Sequence, residues 1–208
     1  MAKQFIISIG REYGSGGRVI AEHLAKTLNV KFYDKNIIEH IAQEKKLNLD
    51  QLKKYDEKAR NIWLSRSVDG LSNSPEDTIA QMQFDFLKER AQAGESFVVL
   101  GRCASYILRD FDCMIKVFVT SDMHHKMERI ASIEHLDPVM VEDMIIKNNK
   151  KRKAYHNFYS KEKWGDSRYY DLIISTSKIG IDGACDVVLD YVNKIIEAVS
   201  YTHLRAHE

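Results

Sequence analysis

Four glycines within eight positions, Gly10, Gly14, Gly16 and Gly17, interrupt the stretch ISIGREYGSGGRVIA (7–21), and Arg18 follows them directly. Glycines spaced this way let a backbone turn its N–H groups inward and let an anion approach where a Cβ would otherwise stand. A helix starting behind them adds about half a unit of positive charge at its N-terminus, so phosphate is the ligand that suits the loop. Ser15 offers a hydroxyl for phosphate or for Mg2+. A tight strand-to-helix turn without a ligand is the other reading, although four glycines exceed what such a turn needs. Two common phosphate loops do not fit. In G-x-G-x-x-G, counted from Gly14 and Gly16, the third glycine position is Val19. In G-x-x-x-x-G-K-[ST], counted from Gly10, five residues precede Gly16, and Gly17 and Arg18 stand where the lysine and the hydroxyl residue belong.

Other charged residues fall at ends of elements. Arg102 closes VVLGR (98–102), a predicted buried strand, and ligands of parallel sheets sit at the carboxyl ends of strands. An intramolecular salt bridge is the alternative for it, as a solvated helix position is for Arg18. Asp34 follows the short strand KFY (31–33), where it either caps the next helix or faces a ligand, and the two roles are compatible. Lys147, Lys150, Lys151, Arg152 and Lys153 concentrate cations in one short run, which reads either as a solvated face or as a phosphate-covering segment. Arg152 is the first choice within it, because the guanidinium fork suits bidentate phosphate contact, and Lys150 the second. Glu12 and Asp122 are further acidic candidates. The adjacent His124 and His125 lack metal-binding spacing, no cysteines are paired as CxxC, and no G-x-S-x-G elbow is present.

The elements that must position these residues alternate. QFIISI (4–9), KFY (31–33), SFVVLG (96–101), CMIKVFVT (113–120) and DLIIST (171–176) read as short buried strands, the first ended by Gly10. Between them run amphipathic helices: one from Arg18 to Leu28 closed by Asn29, and one carrying Ile37, Ile38 and Ile41. A third is started by Ser74, Pro75 and Asp77 and stopped by Gly94, and a fourth spans Met123 to Ile133. Another begins at Asp137 and Pro138, and the last starts near Asp182 and buries Val187, Val188, Tyr191, Ile195 and Ile196. Alternation of this kind predicts an α/β three-layer sandwich around a five-stranded parallel sheet. Residues 45–74 depart from it, being charge-rich around an isolated Trp63 and Leu64 and then turn-rich. The terminal THLRAHE drops the apolar period and reads as a non-native tail over 201–208.

Composition bounds the rest. The 208 residues carry 31 Lys plus Arg against 30 Asp plus Glu, a net charge of +1 that provides no global field for nucleic acid or a membrane. Three cysteines without close pairing fit a reducing compartment, and no apolar run approaches the roughly 18 residues of a span. The chain opens directly into its first strand, so the expected location is the cytoplasm.

The ordered series ISIGREYGSGGR, FYD, VVLGRCASYIL, KVFVTS, NKKRKAYHNFY, KWGD and YDLIISTSKIGIDGA resembles the cytidylate kinase-like family, a divergent branch of the P-loop nucleoside monophosphate kinases, over residues 4 to about 198. The resemblance implies a CORE (1–44, 75–135 and 166–200), a monophosphate-binding insertion (45–74) and a LID (136–165). It implies ATP and Mg2+ as cofactors, CMP or dCMP as acceptor, and a monomer or weak homodimer. Gly10, Gly14, Ser15, Gly16, Gly17 and Arg18 would then hold the ATP phosphates, Arg102 and Asp34 the acceptor, and Arg152 and Lys150 the transferred group. Ser15 and Asp34 would stand near the metal. Cationic convergence is what phosphoryl transfer demands. The chain departs from the family pattern in lacking the P-loop lysine, in carrying Leu100 where an acid precedes the glycine, and in carrying Asn148 and Asn149 beside the basic run. The missing lysine, the extra loop residue and Leu100 motivate one alternative, a nucleotide-binding module without turnover, and the poor transfer of fold-level similarity to substrate choice motivates another, a kinase of another small acceptor.

Overall fold

Strand residues alternate between two apolar layers. Ile7 and Ile9 pack with Ile20 and Leu24 on one side of the sheet and with Val188 and Val192 beyond them. Ile6, Phe97 and Val99 pack on the other side with Ile37, Ile41, Phe86 and Leu87. A parallel sheet covered on both faces needs apolar residues at nearly every strand position, which is why its strands read as continuous runs. The computed structural model describes residues 4–56, 67–68, 71–72 and 74–205. In chain order these form β1 (Ile6–Arg11), α1 (Gly17–Thr27), β2 (Lys31–Tyr33), α2 (Ile37–Lys45), α3 (Leu49–Asp56) and a hairpin of β3 (Ser67–Val68) with β4 (Leu71–Ser72). There follow α4 (Pro75–Gln92), β5 (Phe97–Leu100), α5 (Ala104–Ile107), β6 (Met114–Thr120), α6 (Met123–Glu134), α7 (Pro138–Tyr159), β7 (Leu172–Ser175) and α8 (Gly180–Arg205). The sheet is parallel throughout, in the order β2-β5-β1-β6-β7. It is the expected three-layer α/β sandwich.

Local signals hold where they are local. Ser74 Oγ accepts the Asp77 N–H at 3.1 Å ahead of Pro75, and Asp137 caps α7 ahead of Pro138 by accepting from Val139 N at 2.9 Å. Such caps contribute about 1 kcal/mol each. Asn29 (φ 51°) and Gly94 (φ 78°) adopt the left-handed conformation just after α1 and α4.

Three expectations change. β1 does not end at Gly10. Gly10 and Arg11 stay in register with Phe118 and Val119 of β6, and the Phe118 ring fills the space of a Gly10 side chain, 2.7 Å from an ideal Cβ. Asp34 does not cap α2: the cap position is Asn36, and the Asp34 carboxylate turns elsewhere. On α8 the inward positions are Ala184, Cys185, Val188 and Val192, while Val187 is 46% exposed. Within 45–74 the described parts are α3, packed on α2 and α4, and the β3–β4 hairpin; Trp63 and Leu64 lie outside the described residues. The backbone of α8 continues through Arg205, and residues 206–208 of the expected tail lie outside the described residues. Among the described residues no helix is long and apolar enough to cross a membrane, and Cys103, Cys113 and Cys185 are free thiols.

Candidate functional site

The glycine-rich loop bridges the carboxyl end of β1 and the N-terminus of α1. Gly14 (φ 82°) and Gly16 (φ 83°) take left-handed conformations, and Gly16 sits at the cap position without a side-chain cap. The first N–H that returns along the helix is that of Ile20, to Gly16 O at 3.2 Å, so the N–H groups of Gly17, Arg18 and Val19 have no partner within the helix. Ser15 is fully buried. Its hydroxyl donates to Glu12 O at 2.9 Å, and its carbonyl accepts from Thr176 Oγ1 at 3.0 Å, so the side chain closes the loop from inside. Glu12 is tied down as well: its Oε2 accepts from Lys126 Nζ and Thr120 Oγ1, both at 2.8 Å. Lys126, only 6% exposed on α6, and Arg129, whose Nη1 donates to Gly14 O at 2.6 Å, line one side of the loop. Burial lowers the Arg129 pKa from its ordinary value.

Across the loop the arginines gather. Arg18 Nη1 donates to Asp34 Oδ2 at 2.5 Å, and on its solvent side Arg18 Nε meets Glu22 at 2.8 Å. Asp34 is 4% exposed, with its backbone N–H held by Asn36 Oδ1 at 2.7 Å. The side chain of Arg11 enters the same space. Burial, then the charges of Arg152, Arg102 and Arg18, lower its pKa to about 9 against the opposing pull of Asp34, leaving the guanidinium charged at neutral pH. Arg102 stands in a run of three left-handed residues after β5, Gly101, Arg102 and Cys103, with φ of 78°, 56° and 52°. Left-handed backbone costs a non-glycine residue roughly 1–2 kcal/mol, a strain that collects at functional positions. Gly101 makes room for Arg11, since a Cβ there would overlap Arg11 Nη1.

The fourth guanidinium arrives on α7. Arg152 Nη1 donates to Arg11 O at 3.3 Å and lies 5.3 Å from the Tyr13 ring centroid, within cation–π range. One turn earlier, Asn149 Oδ1 accepts the Tyr13 N–H at 2.6 Å, and Tyr13 packs with Ile130, Val141 and Ile145. One face of α7 is therefore laid on the glycine loop. Lys147, Lys150, Lys151 and Lys153 lie on the exposed face, so of the basic run only Arg152 reaches the cluster among the described residues. Trp164 packs edge-on to Phe118 at 5.2 Å between ring centroids, which attaches KWGD to β6. Asp122 caps α6 by accepting the His125 N–H at 2.9 Å.

Arg18, Arg102 and Arg152 thus gather about Arg11 with one buried carboxylate, Asp34, among them and Glu22 at the solvent edge, so that among the described residues the cations here outnumber the carboxylates. Nucleotide phosphates carry the matching negative charge and suit guanidinium forks. For Mg2+ the fit is narrower. Among the described residues no three His, Cys, Asp or Glu groups cluster as a metal site. Asp34 is the carboxylate within the arginines, and the Ser15 hydroxyl is turned inward. That arrangement suits an ion carried in on phosphates, the usual mode for Mg2+, rather than a protein cage.

Residues 6–178 match the cytidylate kinase-like family. The chain belongs to that family. It is 25% identical over 190 residues to a cytidylate kinase of Archaeoglobus fulgidus, covering 89% of this chain and 93% of that one. With a cytidylate kinase of Pyrococcus abyssi it shares 27% over 199 residues, 93% and 97% of the two chains. A solved structure of an uncharacterized protein from Eubacterium ventriosum is 36% identical, with a TM-score of 0.73 over 91% of this chain and 99% of that one. A shikimate kinase from Bacteroides thetaiotaomicron, 14% identical with a TM-score of 0.52 over 91% and 98% of the two chains, shares the fold, which is of the P-loop kinase type.

In this cytidylate kinase-like chain, sequence reasoning passed over Arg11, Lys126 and Arg129. A signal for Arg11 was present: SIGR (8–11) and VLGR (99–102) place Gly-Arg at the ends of two strands, and the register Ile9↔Leu100 makes those strands neighbours. For Lys126 and Arg129 the only hint was their i, i+3 spacing on the helix that follows a strand.

Proposed function

We propose that the chain transfers the γ-phosphoryl group of ATP to a pyrimidine nucleoside monophosphate, CMP or dCMP, in the cytoplasm. The observation that carries this reading is the gathering of Arg18, Arg102, Arg152 and Asp34 about Arg11, at the carboxyl ends of β1 and β5 and beside the N-terminus of α1. In the transfer, an oxygen of the acceptor phosphate bonds to the γ-phosphorus as the bridge to the β-phosphate breaks, and ADP leaves. The acceptor is already ionised, so the protein needs no base; it supplies cations and excludes water. The α1 N-terminus and loop N–H groups hold donor phosphates, Arg102 holds the acceptor phosphate, and Arg152 follows the transferred group. Mg2+ carried on ATP would neutralise phosphate charge, and Asp34 is the carboxylate among the arginines that would hold it. Residues 45–74 are assigned as the monophosphate-binding insertion and 136–165 as the LID.

The test is a coupled assay of ADP release across the nucleoside monophosphates, with turnover expected on CMP or dCMP. A folded sample inert toward all of them refutes the reading. Three observations favour a second reading, nucleotide binding without turnover: Asp34 is committed to Arg18, Ser15 to the Glu12 carbonyl, and Leu100 stands in the place of an acid. Tight binding by calorimetry with the nucleotide recovered unchanged would establish it.

A further inference from the structure

The phosphate-loop pattern G-x-x-x-x-G-K-[ST] fits this chain in length when its second glycine is set on Gly16. Arg11 then stands at the first glycine, Gly17 at the lysine and Arg18 at the hydroxyl residue. Arginine has entered where glycine is usual, and glycine where the cation is usual. The structure makes these two positions neighbours, because a Cβ on Gly17 would lie 2.6 Å from Arg11 Cβ. A side chain at 17 and the Arg11 stem therefore exclude one another. From Gly17 the Arg11 side chain runs to the bare Cα of Gly101, with Nη1 against it. Among the described residues the Arg11 guanidinium forms no hydrogen bond or close ion pair; Arg152, Arg102 and Arg18 act on it as like charges, and Asp34 opposes them from a distance. A structural arginine in such a place would be expected to hold a carboxylate or a carbonyl; this one, half-buried, leaves its donors open to an incoming anion.

We propose that positions 11 and 17 have exchanged charge and space, so that Arg11, extending from the end of β1, supplies to the donor phosphates the positive charge that a lysine at position 17 supplies in the common loop. The assignment rests on the phosphoryl-transfer reading above. It accounts together for the missing lysine, the extra residue after Gly10 and the bare position 17, and it uses the space left at Gly101. Arg11 also lies toward Arg102, so its planar fork spans from the donor side to the acceptor side, which a lysine rising from α1 would not do.

The experiment compares the full chain with Arg11→Gly, Gly17→Lys and the double variant Arg11→Gly/Gly17→Lys. It measures inorganic triphosphate binding by calorimetry, turnover of ATP with CMP, and thermal unfolding. Arg11→Gly is expected to weaken triphosphate binding at least tenfold, Gly17→Lys to lose binding through its clash with the Arg11 stem, and the double variant to recover most of what Arg11→Gly lost. Wild-type affinity in Arg11→Gly, or a folded double variant no better than Arg11→Gly, overturns the assignment. If the double variant does not fold, Arg11→Gln decides alone: a tenfold loss at an unchanged unfolding midpoint supports the role, and undiminished affinity refutes it. A wild type that binds triphosphate through Arg11 yet never turns over would remove the kinase reading and leave the charge exchange standing.

Discussion

Arg18 and Asp34, sixteen residues apart, meet at 2.5 Å where the N-terminus of α1 faces the end of β2. The contact commits the buried carboxylate nearest the arginines to a cation of the protein itself. A phosphate-binding site gains from this: the carboxylate restrains like-charge repulsion while the site is empty, and Arg18 can redistribute its hydrogen bonds when an anion enters.

Asp34→Asn should therefore destabilise the empty protein, by roughly 1–3 kcal/mol as expected when a buried charge loses its partner. Added pyrophosphate should restore more stability in the variant than in the wild type, because anion binding to the native state stabilises by mass action. Unfolding midpoints with and without pyrophosphate measure both effects. Equal stability of the two empty proteins would show that Asp34 does not balance the arginines.

Gly101→Ala tests the space given to Arg11. The added methyl would overlap Arg11 Nη1 and would sit on a residue at φ 78°, so the guanidinium must move. A loss of triphosphate affinity of at least tenfold is expected, along with about 1 kcal/mol or more of stability from the left-handed backbone. Calorimetry and thermal unfolding read the two separately, and unchanged affinity would mean that Arg11 is not where binding is decided.

Asn149→Ala removes the acceptor of the Tyr13 N–H and should release α7 from the glycine loop. The expected cost is about 1 kcal/mol, the usual worth of one intramolecular hydrogen bond. Faster amide exchange at Tyr13 and a raised KM for ATP should follow. Asn149→Asp keeps an acceptor and should retain the protection; loss of protection in both variants would point to helix packing instead.

His156 is buried on α7, its Nε2 has no hydrogen-bond partner among the described residues, and burial lowers its pKa below the ordinary 6.5, opposed by a backbone hydrogen bond with Glu162. As pH falls through 6.5 the unfolded chain takes up a proton that the folded chain still refuses. The stability contributed by the neutral ring is thus present above 6.5 and is lost as pH descends from there toward the lowered folded value. His156→Leu should show a shallower decline in unfolding midpoint between about pH 7 and pH 5, and parallel declines would exclude His156 as the cause.

Cys103 lies buried directly after Arg102, and burial raises its thiol to a pKa of about 12 against the opposing pull of Arg102. The thiolate is the reactive form, so at pH 8 this thiol should resist alkylation in the native protein and react after denaturation. Mass mapping of iodoacetamide adducts checks it, and rapid native labelling at Cys103 would contradict the burial described for the Gly101–Cys103 turn.

The strands, the caps at Ser74 and Asp137, and the left-handed ends at Asn29 and Gly94 could be read from the chain because each depends on residues a few positions apart. The glycine loop and Arg102 were legible for the same reason: a strand, a glycine and a cation in succession are a local pattern. Asp34 was ambiguous, since a cap and a ligand-facing carboxylate look alike until the position of Arg18 is known. Val187 reads as buried from the apolar period alone, yet it is exposed, because the side of α8 that is covered depends on where that helix lies against the sheet.

Sequence alone determined the layers, the order of elements and the phosphate character of the loop, because apolar period, capping and glycine content act over short separations. Tertiary structure decided which cations share a space. Arg11 continues β1 only because β6 pairs with it, it meets Arg102 only because β5 is the other neighbour of β1, and Arg152 joins them only because α7 folds back onto Tyr13. Charges interact across space without regard to their separation along the chain, so register and helix placement, rather than composition, assembled the arginine cluster.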